Sequence, residues 1–379
     1  MVNYNLLSNS NQKTWDKILA KVWQRSHLDF MLLCGILLLG LFGVGILYSA
    51  SGKSMVLVWH QAANFGVAFI VLFIFAQIPA SRYRPLVPWI FGMVLLMLFA
   101  VVSVGAVNRG VQRWLNFGLV RFQPSELMKL AMPMMLAWYL CNKTFPLRIK
   151  DLFFSCIIIV VPALVIAKQP DLGTAILVMA TGGFVLLLAG ITWQLIFGVS
   201  FLLMTAAPIV WHFMHDYQKM RLFSFWSPEN DPFGSGYNII QSKIAIGSGG
   251  WFGKGWLHGS QTYLQFLPVR STDFIFAVYS EEFGFIGCLL LFAVFAYIIG
   301  RSLYIGTHAQ DTFSRLLVGS LVLSFFTSFF VNIGMVAGIL PVVGVPLPLI
   351  SYGGSSLITF MASFGIIMSV QTHRKLIGS

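Results

Sequence analysis

Ten long apolar stretches separated by short polar ones dominate the sequence. They cover residues 28–50, 56–78, 86–107, 126–141, 151–168, 172–190, 194–213, 274–300, 313–338 and 353–371. A helix needs about 20 apolar residues to cross a bilayer, and each stretch approaches that length, although the fourth and fifth are short. The pattern predicts an all-α polytopic membrane protein with about ten transmembrane helices and both termini on the same side.

The composition supports a membrane protein. Of 379 residues, 58% are hydrophobic and only 9% are charged, whereas a soluble domain carries about 25% charged residues. The net charge of +12 would suggest nucleic acid as the partner of a soluble protein, but here positive cytoplasmic loops and anionic lipid explain it. The four scattered cysteines match neither a disulfide framework nor a zinc pattern, so we interpret them as packing residues.

The chain divides into three parts. Residues 1–27 form a cytoplasmic N-terminal segment in which apolar and basic positions alternate at helical spacing, which predicts an amphipathic helix on an anionic membrane surface. Residues 28–371 form the ten-helix transmembrane domain, which includes a long outer loop at 214–273. Residues 372–379 form a cytoplasmic tail.

The distribution of basic residues orients the domain. Thirteen Lys and Arg residues fall on the side of the termini and five on the opposite side outside the long loop, so the positive-inside rule places the termini in the cytoplasm. The five are Lys53, Arg109, Arg113, Arg121 and Lys168; the loop adds Lys219, Arg221, Lys243, Lys254 and Arg270. As a set they favour an anionic outer ligand such as a phosphate or pyrophosphate. For any single residue, contact with solvent or lipid head groups is the simpler interpretation.

One acid occupies a conspicuous position. Asp273 lies three residues after Arg270 and directly before the eighth apolar stretch. A carboxylate at the mouth of a membrane helix is energetically costly and marks a candidate functional residue.

Two further polar clusters lie at outer helix ends. Pro124 predicts the start of a helix whose first turn holds Glu126, and Lys129 one turn later can pair with that carboxylate. The pair is either structural or part of a polar site below the membrane surface. Asp171 is well placed to cap the next helix, and the polar turn after Lys168 can alternatively line a cavity.

The two longest outer loops contain many glycines and prolines. In the first, residues 238–246 predict a short amphipathic helix that Gly247 stops, followed by a flexible glycine-rich segment at 247–255 that can approach a ligand closely. In the second, residues 338–356 contain three prolines and cannot continue a helix. We expect this second loop to pack beside Asp273 rather than to perform chemistry.

Five motifs in order resemble the SEDS family (shape, elongation, division and sporulation). They are Gln123–Glu126 with Lys129, Lys168–Gly173, Ala245–Gly250, Phe266–Pro268 leading to Thr272–Phe274, and Ile350–Ser355. The segment Gly253–Gln261 is more similar to rod-shape members than to division members. One departure is that Val269 and Ser271 stand where the family usually has Glu and His, which leaves Asp273 in place.

The resemblance implies a peptidoglycan glycosyltransferase that joins lipid II into β-1,4 glycan strands during cell-wall elongation and rod-shape maintenance. For this reaction our hypothesis assigns Asp273 as the general base, with substrate contacts from Arg109, Arg113, Glu126, Lys129, Lys168, Asp171 and Arg270. No protein metal site is expected, although a divalent cation (Mg²⁺ or Mn²⁺) is a candidate cofactor for the pyrophosphate. The implied partners are a class B penicillin-binding protein and the elongation machinery, in the bacterial inner membrane. The alternatives are a lipid II flippase and a non-catalytic scaffold.

Overall fold

The computed structural model describes residues 27–373 with several gaps. The gaps are 105, 109–110, 117–120, 145–146, 170, 193–196, 199–203, 206–207, 209–210, 213, 215, 231–234 and 261–268. The predicted amphipathic N-terminal helix therefore lies outside the described residues, as does most of the seventh predicted span.

Eleven helices organise the described part of the chain. They are α1 (Phe30–Ala50), α2 (Met55–Gln77), α3 (Val87–Val104), α4 (Pro124–Leu140), α5 (Ile149–Lys168), α6 (Leu172–Leu188), α7 (Asp216–Trp226), α8 (Ser235–Gly249), α9 (Ile275–Thr307), α10 (Thr312–Val336) and α11 (Gly354–Thr372). Short helical turns at Ala80–Tyr83 and Arg84–Leu86 precede α3.

Nine of the ten predicted spans coincide with one of these helices. Seven helical segments in the described ranges are long and apolar enough to cross a membrane, and α6 is a shorter apolar helix. Large apolar side chains such as Leu41, Trp89 and Leu96 are more than two-thirds exposed, as expected for surfaces that face lipid rather than water. The chain is a multi-pass membrane protein, as the hydropathy pattern predicts.

A small antiparallel sheet joins α3 to α4. Its strands are β1 (Ala106–Asn108), β2 (Val111–Asn116) and β3 (Arg121–Phe122), in the order β1-β2-β3. The sequence pattern indicates only a loop here. Between α3 and α4 the backbone N–H and C=O groups have no helical hydrogen-bond partners, and pairing as strands satisfies them.

Helix α4 lies inside the bundle and packs against α3, α6 and α10. Most of its residues are buried, including the polar first-turn residues Ser125 and Glu126. The short fourth apolar stretch is thus a core helix whose first turn is polar, and it carries charge into the interior of the protein.

Helix α9 breaks at Gly284, whose φ is 63° and ψ −163°. The segment after α8 is bound to this kink: the amides of Lys254 and Gly255 donate to the carbonyls of Glu281 and Glu282, each at 3.0 Å. A Cβ at Gly253 or Gly249 would overlap the α9 backbone, so glycine here permits contact between two main chains.

Two predictions about this segment are corrected. Helix α8 does not stop at Gly247 but continues to Gly249, because the residue that adopts positive φ is Gly250, at 56°. The glycines at 249 and 253 serve close packing against α9 rather than approach to a ligand.

Candidate functional site

A cavity of about 440 Å³ opens at the end of the bundle where α4, α6, α9 and α11 begin. Three carboxylate residues that the sequence analysis singles out line it together, namely Glu126, Asp171 and Asp273. They come from three separate helix starts. The other lining residues are Asn64, Trp114, Gln123, Thr174, Thr272, Gly344, Pro346, Tyr352, Gly353, Gly354, Ser355 and Ser356.

Asp273 is half-buried and belongs to a tight turn. The amides of Thr272 and Phe274 both donate to the carbonyl of Val269, at 3.2 and 3.3 Å. Asn332, fully buried on α10, donates from Nδ2 to the carbonyl of Asp273 at 2.8 Å. The backbone that carries the carboxylate is therefore held from inside the bundle, which suits a group that must be pre-positioned.

The proline-rich loop packs beside this turn, as the sequence predicts. Asn332 Nδ2 also donates to the carbonyl of Val345 at 2.7 Å, while Ser351 Oγ donates to the carbonyl of Thr272 at 2.6 Å. The amide of Tyr352 donates to the carbonyl of Ser271 at 3.0 Å. Irregular backbone at this depth is thus satisfied by protein groups and forms one wall of the cavity.

The surroundings of Asp273 change its acidity. Burial raises the pKa of its carboxyl from the ordinary 3.8 to about 6, and the positive charge of Arg221 lowers it in part. Because removal from water disfavours the charged form, this carboxylate holds a proton more tightly than an exposed one. A pKa closer to neutrality makes the group a better general base near pH 7 than an ordinary aspartate.

Glu126 and Lys129 form a buried ion pair one turn apart on α4. Lys129 Nζ donates to Glu126 Oε1 at 2.7 Å, and the side chains of Lys129 and Glu126 are 5% and 7% exposed. Glu126 Oε2 is buried without a hydrogen-bond partner among the described residues. The predicted pairing is confirmed, and this oxygen can accept a hydrogen bond from a ligand in the cavity that Glu126 lines.

Asp171 combines the two roles that the sequence leaves open. It caps α6, accepting from the amide of Thr174, and its Oδ2 accepts from Thr174 Oγ1 at 2.9 Å and Gln123 Nε2 at 3.0 Å. It also lines the cavity. The hydrogen bond from Gln123 joins the start of α4 to the start of α6. Glu126 and Asp171 therefore lie on the same wall of the cavity.

The predicted basic residues are less uniformly placed. Arg270 is half-buried, its guanidinium lies near Gly52, and burial lowers its pKa. Lys168 is exposed at the end of α5 and is not among the residues that line the cavity. Arg109, and the side chain of Arg113 on β2, lie outside the described residues, so their contacts stay predictions.

The structure also brings to this region amide side chains that no sequence motif singled out. Asn332 binds the Asp273 turn, and Asn64 on α2 lines the cavity. Both lie inside predicted apolar spans, and His60 and Gln61 precede Asn64 by one helical turn. An uncharged polar side chain within a span is itself a signal of a buried network, and that signal was available in the sequence.

A metal site made by the protein alone is not found in the described ranges, where no three His, Cys, Asp or Glu side chains lie close enough together to hold an ion. The three cavity carboxylates therefore do not form a ready cation cage. The divalent cation named as a candidate cofactor gains no support from these residues.

The FtsW/RodA/SpoVE family model, described as cell cycle protein, matches residues 27–376. The chain is 48% identical to the peptidoglycan glycosyltransferase MrdB of Escherichia coli K12, over 98% of the chain and 99% of that protein. It is 37% identical to the MrdB of Helicobacter pylori J99, over 86% of each.

Solved structures agree with the fold. A chain from the work "Structural coordination of polymerization and crosslinking by a peptidoglycan synthase complex" superposes with a TM-score of 0.81 at 28% identity, covering 91% of this chain and 97% of that one. The rod shape determining protein RodA of Thermus thermophilus gives 0.70 at 26% identity, covering 91% and 96%.

Proposed function

The chain belongs to the FtsW/RodA/SpoVE family and is a peptidoglycan glycosyltransferase, and we propose that it extends glycan strands from lipid II with Asp273 as the general base. The observation that carries this assignment is the placement of Asp273. It is a half-buried carboxylate on the wall of a polar cavity, with a pKa raised to about 6 by burial.

The glycosyl transfer requires one general base for the acceptor hydroxyl and positively charged groups for the leaving pyrophosphate. An acceptor hydroxyl attacks the anomeric carbon of the donor sugar and gives its proton to Asp273 Oδ, while the bond to the pyrophosphate breaks and its electrons leave with that group. Because the donor is α-linked and the product β-linked, one displacement with inversion suffices, and no second carboxylate has to form a covalent intermediate.

Positively charged side chains must stabilise the negative charge of the leaving pyrophosphate. Lys129 stands beside Glu126 next to the cavity, and Arg270 lies in the same turn as Asp273. We assign these two cations, with Arg109 and Arg113, to the head group, and Glu126 and Asp171 to the polar wall. We assign Lys168, which is exposed, to the entrance of the cavity.

The setting follows from the same assignment. The cavity belongs at the outer face of the bacterial inner membrane, with both termini cytoplasmic, because the basic residues accumulate on the opposite side. A class B penicillin-binding protein is the proposed partner, and the structural match to a chain of a peptidoglycan synthase complex supports it.

The test supplies lipid II to the purified chain with that partner in detergent, where no leaflets exist. We expect glycan chains from the wild type and none from Asp273→Ala. Asp311→Ala is the control, because Asp311 caps α10 with its side chain and does not line the cavity. Unchanged polymer from Asp273→Ala would overturn the base assignment.

The same assay separates the other functions. A flippase or a scaffold would leave lipid II unpolymerised in detergent until a second polymerase is added. Chelation with EDTA tests the divalent cation: loss of polymer that Mg²⁺ or Mn²⁺ restores would establish the requirement, and unchanged polymer would remove it.

A further inference from the structure

The outer end of α1 makes contacts that the glycosyl transfer described above does not use. Ser49, 4% exposed, donates from its hydroxyl to the carboxylate of Glu282, 1% exposed, next to the kink of α9. Trp256 Nε1 donates to the carbonyl of Gly45 at 3.3 Å. The last two turns of α1 are thus bound to α9 and to the segment that follows α8.

Beyond this anchor the chain makes a left-handed turn. Gly52 has a φ of 70° and Lys53 a φ of 65°, and their amides donate to the carbonyls of Ser49 and Tyr48, each at 3.0 Å. These bonds close the end of the helix in the manner of a glycine cap. The turn therefore has a defined shape and leaves one face of Gly52 without a side chain.

The guanidinium of Arg270 lies close to this face of Gly52. A Cβ built on Gly52 would lie 3.3 Å from Arg270 Nη2, which is closer than side chains usually pack. Arg270 and Asp273 lie within the same backbone turn, which starts at Val269, since the amides of Thr272 and Phe274 both donate to the carbonyl of Val269. A contact that restricts the Arg270 guanidinium therefore fixes a positive charge three residues from the proposed base.

From these contacts we infer that Gly52, held in place by the Ser49–Glu282 contact, is a positioning residue for Arg270. The turn restricts the position of the guanidinium, so that it is correctly placed to bind the diphosphate. This inference rests on the proposed function, because it takes Arg270 to be a head-group contact. It adds α1, which contributes no residue to the cavity wall, to the parts of the chain that determine substrate binding.

Gly52→Asn is the substitution that isolates this role. Asparagine tolerates positive φ better than most residues, so the backbone strain is small while the added side chain enters the space of Arg270. Gly190→Asn is the matched control, because Gly190 has a φ of 81° and no described atom lies within 4 Å of the position that a Cβ would take there.

The measurement is kcat/KM for lipid II with the full chain and its partner. We expect Gly52→Asn to lower it about tenfold, the scale of one weakened hydrogen bond to a charged group, and Gly190→Asn to leave it unchanged. Ser49→Ala is expected to lower it in the same direction. In an Arg270→Ala background, Gly52→Asn is expected to add nothing, because positioning has no effect once the positioned group is absent.

Two outcomes would contradict different parts of the account. If Gly52→Asn and Arg270→Ala lower kcat/KM additively, Gly52 does not act through Arg270 and the positioning role is wrong. If Arg270→Ala alone leaves kcat/KM unchanged, the head-group assignment of Arg270 in the proposed function is wrong, whatever the effect at residue 52.

Discussion

Asp273 and Glu281 are acids only eight residues apart, and the first is half-buried while the second is fully buried. Asp273 lines an open polar cavity, and Asn332 holds its backbone carbonyl. Glu281 is fully buried, and its Oε1 accepts from Lys254 Nζ at 2.7 Å and Ser260 Oγ at 3.0 Å. Burial of an acid therefore does not by itself indicate catalysis; access to a cavity separates the two.

Glu281 has a structural role: it holds part of the long outer loop against α9. Its partners Lys254 and Ser260 both belong to the segment that binds the α9 kink. The carboxylate and the backbone hydrogen bonds act on the same segment, so together they fix part of the long outer loop to the bundle.

The largest expected effect separates the two acids directly. We expect Asp273→Asn to lower lipid II turnover by about 10²–10⁴-fold, the usual range for loss of a general base, while the melting temperature is retained. Glu281→Gln keeps a group that can accept a hydrogen bond but removes the charge that pairs with Lys254, so it should lower the melting temperature. Turnover per folded molecule and thermal unfolding check both. Equal catalytic losses without unfolding would erase the distinction.

The Glu126–Lys129 pair is expected to show an intermediate effect. Glu126→Gln leaves the Lys129 ammonium buried without its ionic partner, at a cost of about 3 kcal/mol in the free energy of unfolding. The double variant Glu126→Gln with Lys129→Met removes both charges and should recover most of that stability. Its turnover should stay low because the head group loses its cation; a double variant with recovered turnover would make the pair purely structural.

A smaller effect is expected for the cations of two other ion pairs. Lys254→Met leaves the fully buried Glu281 carboxylate without its ammonium, but Lys254 is itself 31% exposed and Ser260 still donates to the carboxylate, so it should destabilise the protein by about 2 kcal/mol. Lys143→Met is the control: Lys143 pairs with Asp151 where the two side chains are 36% and 13% exposed, and exposed pairs contribute about 1 kcal/mol or less. Thermal unfolding of both variants checks this order, and a larger loss at Lys143 would reverse it.

Much of the fold could be predicted from the sequence, because membrane helices follow from apolar length alone. The Glu126–Lys129 pair was also accessible, since positions three apart share a helix face. The meeting of Glu126, Asp171 and Asp273 depends on how separate helices pack, and that arrangement is not encoded in any local pattern.

The missed features share a physical origin. The end of α8 was misplaced because a helix interior tolerates glycine, and only the fold shows which glycine adopts positive φ. The close approach of Arg270 to Gly52 brings together residues more than 200 positions apart. Contacts of this kind, like the hydrogen bond from Asn332 to the Asp273 turn, come from tertiary packing alone.

The most direct test of the central claim is the dependence of kcat/KM on pH. A base must be ionised to accept a proton, and the pKa of Asp273 is raised to about 6, so activity should be full well above that pH and fall about tenfold per pH unit below it. Asp273→Asn should lower the whole profile and remove this acid limb. A wild type without an ionisation near pH 6, or an Asp273→Asn variant that retains it, would contradict Asp273 as the base.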